Sequence, residues 1–205
     1  MTNEAPDHRD RILDTAADQV RRFGEAKTNV VDIAKAMGLS HSALYRHFRS
    51  KADLFDALAA RTMAEEAELA AHFARSENPA AERLRDLVVA LHRSKRAKLS
   101  DDPEIHGLYR RIIAERPDLV GEYGRRMTAL VRQVLEDGVA RGDFSIRDLD
   151  AAAGVVRDAV TVFVHPAHVE QAVLAGVDLE PRLLAVVTTL IEAFAAGGQQ
   201  QPATP

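Results

Sequence analysis

Apolar residues recur every third or fourth position along most of the chain, a period that predicts helices nearly from end to end. From Asp7 to Phe23 one stripe holds Ile12, Leu13, Ala16, Ala17, Val20 and Phe23, and Gly24 supplies the stop. A short second segment carries Val30, Ile33, Ala34 and Met37, with Asn29 placed to cap it and Asp32 three residues on as a partner. Gly38 stands where a helix end requires positive φ, and Ser40 where the orphan amides of a third helix need an acceptor. In that third helix Leu44 and Phe48 lie four apart on a buried face. His41, Ser42, Tyr45, Arg46 and Arg49 fall on the other side. Ser50 and Asp53 repeat the cap before a long helix to about Ala74.

Helical period continues through the remainder. Ser76-Glu77-Asn78-Pro79 breaks the chain and restarts it with a proline in the first turn, and the next helix runs through Leu84, Leu87, Val88 and Leu91 to near Leu99. Asp102-Pro103 starts another, Arg116-Pro117 interrupts it, and a long helix follows to about Val139. Gly142-Asp143-Phe144 turns the chain towards a helix at 148–164, and a last helix spans 181–196. These last two are apolar around more of their circumference than a one-sided helix requires. A central pair in a monomer accounts for that, and so does a four-helix seam between two copies. The second is favoured, with Val155, Ala159, Val162, Phe163, Val187, Leu190, Ile191 and Phe194 at the interface. The expected organisation is all-α: a head at 1–51, a larger helical body at 52–196, and a disordered tail at 197–205, with Met1–Pro6 disordered as well.

Charge changes the picture. The net charge is −4, but residues 1–51 hold nine Lys/Arg against seven Asp/Glu, whereas the remainder holds eighteen against twenty-four. Positive charge is thus concentrated in the head, where no acid lies between Ser40 and Lys51. A helix face of basic, hydroxyl and aromatic groups behind a tight turn suits a reader of the DNA major groove. Absence of cysteine excludes disulfides, zinc–thiolate sites and thiol redox sensing. No apolar run approaches the ~20 residues of a membrane span. The first residues lack the basic and apolar regions of a signal peptide, so the expected setting is the cytoplasm, without a membrane partner.

Thr28-Asn29-Val30-Val31-Asp32-Ile33-Ala34, followed by Gly38-Leu39-Ser40, Leu44-Tyr45-Arg46-His47-Phe48 and Ser50-Lys51-Ala52-Asp53-Leu54, resembles the TetR family of transcriptional regulators over about residues 8–60. The resemblance implies phosphate contacts for Tyr45 and His47 and an anchoring role for Lys51. It places His41, Ser42, Ala43 and Arg46 on the positions that face base edges or the groove wall, behind the Ser40 cap. Asn29 replaces the usual threonine and keeps its capping ability. Val31 replaces a residue that is often polar or basic, leaving a thymine methyl as its contact.

The resemblance further implies a homodimer on an inverted-repeat operator in double-stranded DNA, with half-sites ~34–36 Å apart or a multiple of that. It implies a repressor that a small-molecule inducer releases. Polar residues embedded among apolar ones make His92, Tyr109, Arg110, Tyr123, Arg157 and Thr161 the candidate wall of the inducer site. Low aromatic content points to an aliphatic or carboxylate-bearing ligand. His165-Pro166-Ala167-His168, with Asp158 or Glu170, raises a metal-responsive alternative, although the loose spacing fits cap or interface residues better. No nucleophile–base motif is present, so no catalytic residue and no cofactor is expected. A helical protein-interaction module without DNA binding is the remaining alternative.

Overall fold

The structure is a computed structural model and describes residues 8–196. The disorder expected at Met1–Pro6 and 197–205 falls outside these residues. Among the described residues ten helices follow in order: α1 (His8–Phe23), α2 (Val30–Ala36), α3 (His41–Tyr45), α4 (Lys51–Ala74), α5 (Ala80–Asp101), α6 (Pro103–Glu115), α7 (Pro117–Arg141), α8 (Leu149–Val164), α9 (Pro166–Leu174) and α10 (Glu180–Ala196). No strand occurs among the described residues.

The backbone forms two compact units, one of residues up to 63 together with 98–117, the other of 64–97 and the residues from 118 onward. The first unit is therefore wider than a 1–51 head. Its core joins Ile12, Leu13, Ala16, Ala17 and Val20 of α1 to Val30, Ile33 and Ala34 of α2, with Leu44 and Phe48 wholly buried beside them. Within the same unit α6 packs on α1 and buries Ile105, Leu108, Tyr109 and Ile112. Arg21 with Asp102 at 2.8 Å and Arg111 with Glu25 fasten this packing, and Arg116 pairs with Asp56 of α4. Hydrogen bonding to Glu25 raises the Arg111 pKa further above its ordinary range, so that guanidinium is a permanent cation.

The second unit is built on an aliphatic core from α5, α7, α8 and α10, including Leu84, Leu87, Val134, Leu135, Val156 and Leu183. The buried Arg83 donates to the Ala74 carbonyl and to Asp137 at 2.8 Å, tying three helices together. At Gly138 α7 passes so close to its neighbours that an added Cβ would lie 2.8 Å from Ala80 Cβ and closer still to the Phe144 ring. Gly138→Ala should therefore lower the stability of this unit by about 1–3 kcal/mol through overpacking, less up to ~1 kcal/mol of gained helix propensity. Urea unfolding checks this; an unchanged midpoint would mean the Phe144 ring swings clear.

Helix α9 is the element that the apolar period does not announce. Pro166 occupies its first turn, where the missing N–H is harmless, and Pro166 and Val169 are its only buried residues. A proline after two polar-flanked residues reads as the end of one helix, but here it also begins the next. Helix α3 is shorter than its apolar pair implies: it ends at Tyr45, and Phe48 reaches the core from the turn that follows.

Candidate nucleic-acid interface and a buried polar cluster

The turn between α2 and α3 is fixed by local hydrogen bonds. Asn29 Oδ1 accepts from the Asp32 amide at 2.9 Å, and Ser40 Oγ accepts from the Ala43 amide at 3.1 Å. Between the two helices Gly38 adopts φ +67°, and Leu39 N–H returns to the Ala34 carbonyl at 2.9 Å. An L-residue at position 38 would carry left-handed strain, which is why glycine stands at the corner. The Ser50 hydroxyl accepts from the Asp53 amide at 3.0 Å and starts α4.

These caps leave Asn29, Val31, Ser40, His41, Ser42, Tyr45, Arg46 and His47 exposed, with Ala43 half-buried among them. Val31 is 55% exposed, high for an apolar side chain on a helix whose other valine is buried. The His41 and Tyr45 rings meet edge-on with centroids 4.6 Å apart, which orders the tyrosine on the outer face of α3. Lys51 is half-buried: its Nζ donates to the Glu25 carbonyl at 3.1 Å and lies 5.2 Å from the Phe55 ring centre. It locks the start of α4 to the end of α1.

Arg9 was not singled out by its sequence. Its guanidinium donates to the His47 carbonyl at 3.0 Å and stacks 4.3 Å over Phe48, so it holds the turn that follows α3. The partner lies 38 residues away, beyond the reach of any local pattern.

The six candidate sensor residues separate. His92 and Tyr123 belong to the second unit, whereas Tyr109 is buried in the first and Arg110 is exposed there. Arg157 pairs with Asp158 at 2.8 Å and Thr161 donates to its own helix, both on the exposed side of α8. Around His92 and Tyr123, however, a polar cluster forms. Lys95 Nζ lies 2.6 Å from Glu66 Oε2, the two side chains 4% and 1% exposed, and the Tyr123 hydroxyl donates to the same oxygen at 3.1 Å. Burial first, then the Glu66 charge, pushes the Tyr123 pKa well up, so the phenol remains a donor. His92 Nδ1 sits 2.7 Å from the Phe163 carbonyl.

Glu66 and Lys95 look like solvated charges in the runs Glu65-Glu66 and Arg93-Ser94-Lys95-Arg96. Their register tells otherwise. Glu66 follows Met63 by three and precedes Ala70 by four, and Lys95 follows Leu91 by four, all on buried faces. His165 and His168 lie with ring centres 5.2 Å apart, but the described residues contain no group of three His, Asp or Glu placed to hold a metal.

On α8, Val155, Ala159 and Val162 make a stripe at i, i+4 and i+7, with the two valines 52% and 45% exposed. On α10, Leu190, Ile191 and Phe194 are half-buried. Phe163 and Val187 turn inward instead, at 6% and 1% exposure, because α8 and α10 pack on each other and these residues fill the seam between them. They belong to the unit's own core, not to an outer face.

Residues 12–58 match the family described as bacterial regulatory proteins, tetR family, and residues 80–193 match the tetracyclin repressor-like C-terminal domain. The chain belongs to the TetR family. It is a transcriptional regulator with a helix-turn-helix DNA-binding domain. Among curated relatives, nucleoid occlusion factor SlmA from Marinobacter nauticus is 38% identical over 58 residues, 28% of this chain and 30% of its own length. The transcriptional regulator AcrR from Shigella flexneri is 42% identical over 52 residues, 25% of this chain and 24% of its own. The chain thus spans under a third of the length of these relatives.

Solved structures share the fold over nearly the whole length. A Rhodococcus protein of unknown function has a TM-score of 0.67 at 22% identity, covering 94% of this regulator and 100% of that chain. The fatty acid degradation regulator FadR from Bacillus halodurans has 0.59 at 20%, covering 98% and 100%. FadR from Bacillus subtilis, solved in complex with stearoyl-CoA, has 0.56 at 18%, covering 91% and 97%. No helix among the described residues is long and apolar enough to cross a membrane.

Proposed function

We propose that this TetR-family regulator is a cytoplasmic, homodimeric repressor that binds an inverted-repeat operator and leaves it when a small molecule occupies its second unit. The observation that carries the reading is the capped turn at Gly38–Ser40, which presents His41, Ser42, Tyr45 and Arg46 on one exposed face without an acid among them. Such a face enters the major groove, where Arg46 has the reach to read a guanine edge and Tyr45 and His47 hold phosphates. Val31 adds an apolar contact beside them. A two-fold pair of such heads reads two half-sites, and the exposed valine stripe of α8 supplies a surface for pairing. Release by a ligand is supported by the stearoyl-CoA held by one structural neighbour. Linkage then requires that operator DNA weaken ligand binding by the same factor.

Selection of genomic fragments by the purified protein tests this, with the enriched site titrated over ~50–200 mM salt. An enriched inverted repeat with a steep salt slope is expected. Arg46→Ala should cost about 1–3 kcal/mol on the cognate site and relax the preference at one base pair of each half-site. Equal losses on cognate and scrambled DNA would remove Arg46 from base reading. No enrichment over random DNA would favour the interaction-module alternative.

A further inference from the structure

Beyond the pair that Lys95 and Glu66 make with Tyr123, three buried side-chain polar atoms of the second unit have no hydrogen-bond partner among the described residues: Arg83 Nε, His92 Nε2 and His165 Nδ1. His92 is 1% exposed, and its Nε2 has no hydrogen-bond partner among the described residues. Its other nitrogen settles the chemistry. A backbone carbonyl only accepts, so the contact with the Phe163 oxygen puts the proton on Nδ1. In the neutral ring Nε2 is then a bare acceptor, and a buried acceptor without a donor is costly.

The surroundings are polar, and the Glu180 carboxylate also lies within electrostatic reach of His92. Lys95 lies three residues after His92 on the same face of α5, and its charge is already matched by Glu66 at 2.6 Å. His165, two residues beyond Phe163, also has an unpartnered Nδ1. Burial, then His168, then Lys95 hold its pKa below the ordinary imidazole range, so it adds no positive charge near neutral pH. Flanking residues Val88, Leu91, Val160 and Phe163 belong to the aliphatic core.

We infer that this cluster is the polar end of a small-molecule site, and that it takes an uncharged, aliphatic ligand whose head donates a hydrogen bond, such as an alcohol, to His92 Nε2. This rests on the reading of the second unit as a ligand sensor and narrows it. A carboxylate has no proton to give Nε2 and adds a second negative charge beside Glu66. The carboxylate ligand expected from composition is therefore disfavoured by the structure, while the aliphatic body is kept.

The test uses the full chain and three eight-carbon probes: 1-octanol, which donates; 2-octanone, which only accepts; and octanoate, an anion. Titration calorimetry should find 1-octanol bound about three- to tenfold more tightly than either of the others. In His92→Asn the shorter amide keeps a donor for the Phe163 carbonyl but has no atom at the Nε2 position, so the preference for the alcohol should vanish. His92→Gln, whose amide reaches that position, should retain it. Tighter binding of octanoate, survival of the preference in His92→Asn, or no binding of any probe overturns the inference. Octanol that binds through His92 without loosening DNA leaves the site standing and overturns the inducer reading. Octanoate that releases DNA from a site indifferent to His92→Asn does the opposite.

Discussion

Lys95→Met is expected to be the most damaging single substitution in the second unit, lowering its stability by about 3–5 kcal/mol. Methionine fills the volume of the lysine stem, so packing is not the cause. What changes is that Glu66, 1% exposed, loses the cation 2.6 Å away while it retains its negative charge and the Tyr123 hydroxyl. A domain holds about 5–15 kcal/mol in all, so a loss of this size is visible as a lower urea midpoint. Glu66→Gln combined with Lys95→Met should recover most of it, because the amide oxygen still accepts from Tyr123 and the unmatched carboxylate is gone. A double variant as unstable as the single one would assign the loss to packing. The exposed Arg157–Asp158 pair makes the contrast: its removal should leave the midpoint unchanged, since water screens both groups.

Val162→Asp is expected to separate the proposed dimer and abolish operator binding. Val162 is 45% exposed and follows Val155 by seven residues on α8, so aspartate there leaves the fold of its own unit intact. In an isologous seam the substitution occurs twice, once from each copy, and two carboxylates face a desolvated surface. At several kcal/mol for each uncompensated charge, the dissociation constant should rise more than about a thousandfold. Sedimentation velocity reads the mass, and a gel-shift titration reads the DNA. A variant that remains dimeric would move the pairing surface away from this stripe; a wild-type chain that sediments as a monomer would remove the dimer altogether.

The helical plan was legible because period, caps and breakers agree over most of the chain. Asn29, Ser40 and Ser50 announce helix starts by chemistry that works within three residues, and the structure shows each accepting the expected amide. What escaped was set by distance or by a signal with two meanings. Pro166 marks a stop and a start together, so α9 stayed hidden. Arg9 acts on a carbonyl far along the chain. Glu66 and Lys95 are charged residues that helical register buries, and only their mutual pairing makes that burial tolerable. Tyr123 stood out as a polar residue among apolar ones, and its hydroxyl donates to Glu66 of that pair. Arg157 and Thr161 carried the same local signal but lie on the outer side of α8, since neighbours in sequence do not reveal which flank of a nearly apolar helix is covered.

Because α6 packs on α1, the first unit is discontinuous along the chain, joining residues up to 63 to 98–117. Arg21 waits for Asp102 and Glu25 for Arg111, partners made more than eighty residues later. A ribosome adding about 5–20 residues per second has therefore exposed α1–α3 for several seconds before the helix that completes their packing exists. During that interval the nascent reader is an unfinished one. Transplanting residues 1–51 onto another protein would carry the reading face but leave behind α6 and the cations that fasten it, so a working graft must bring both segments.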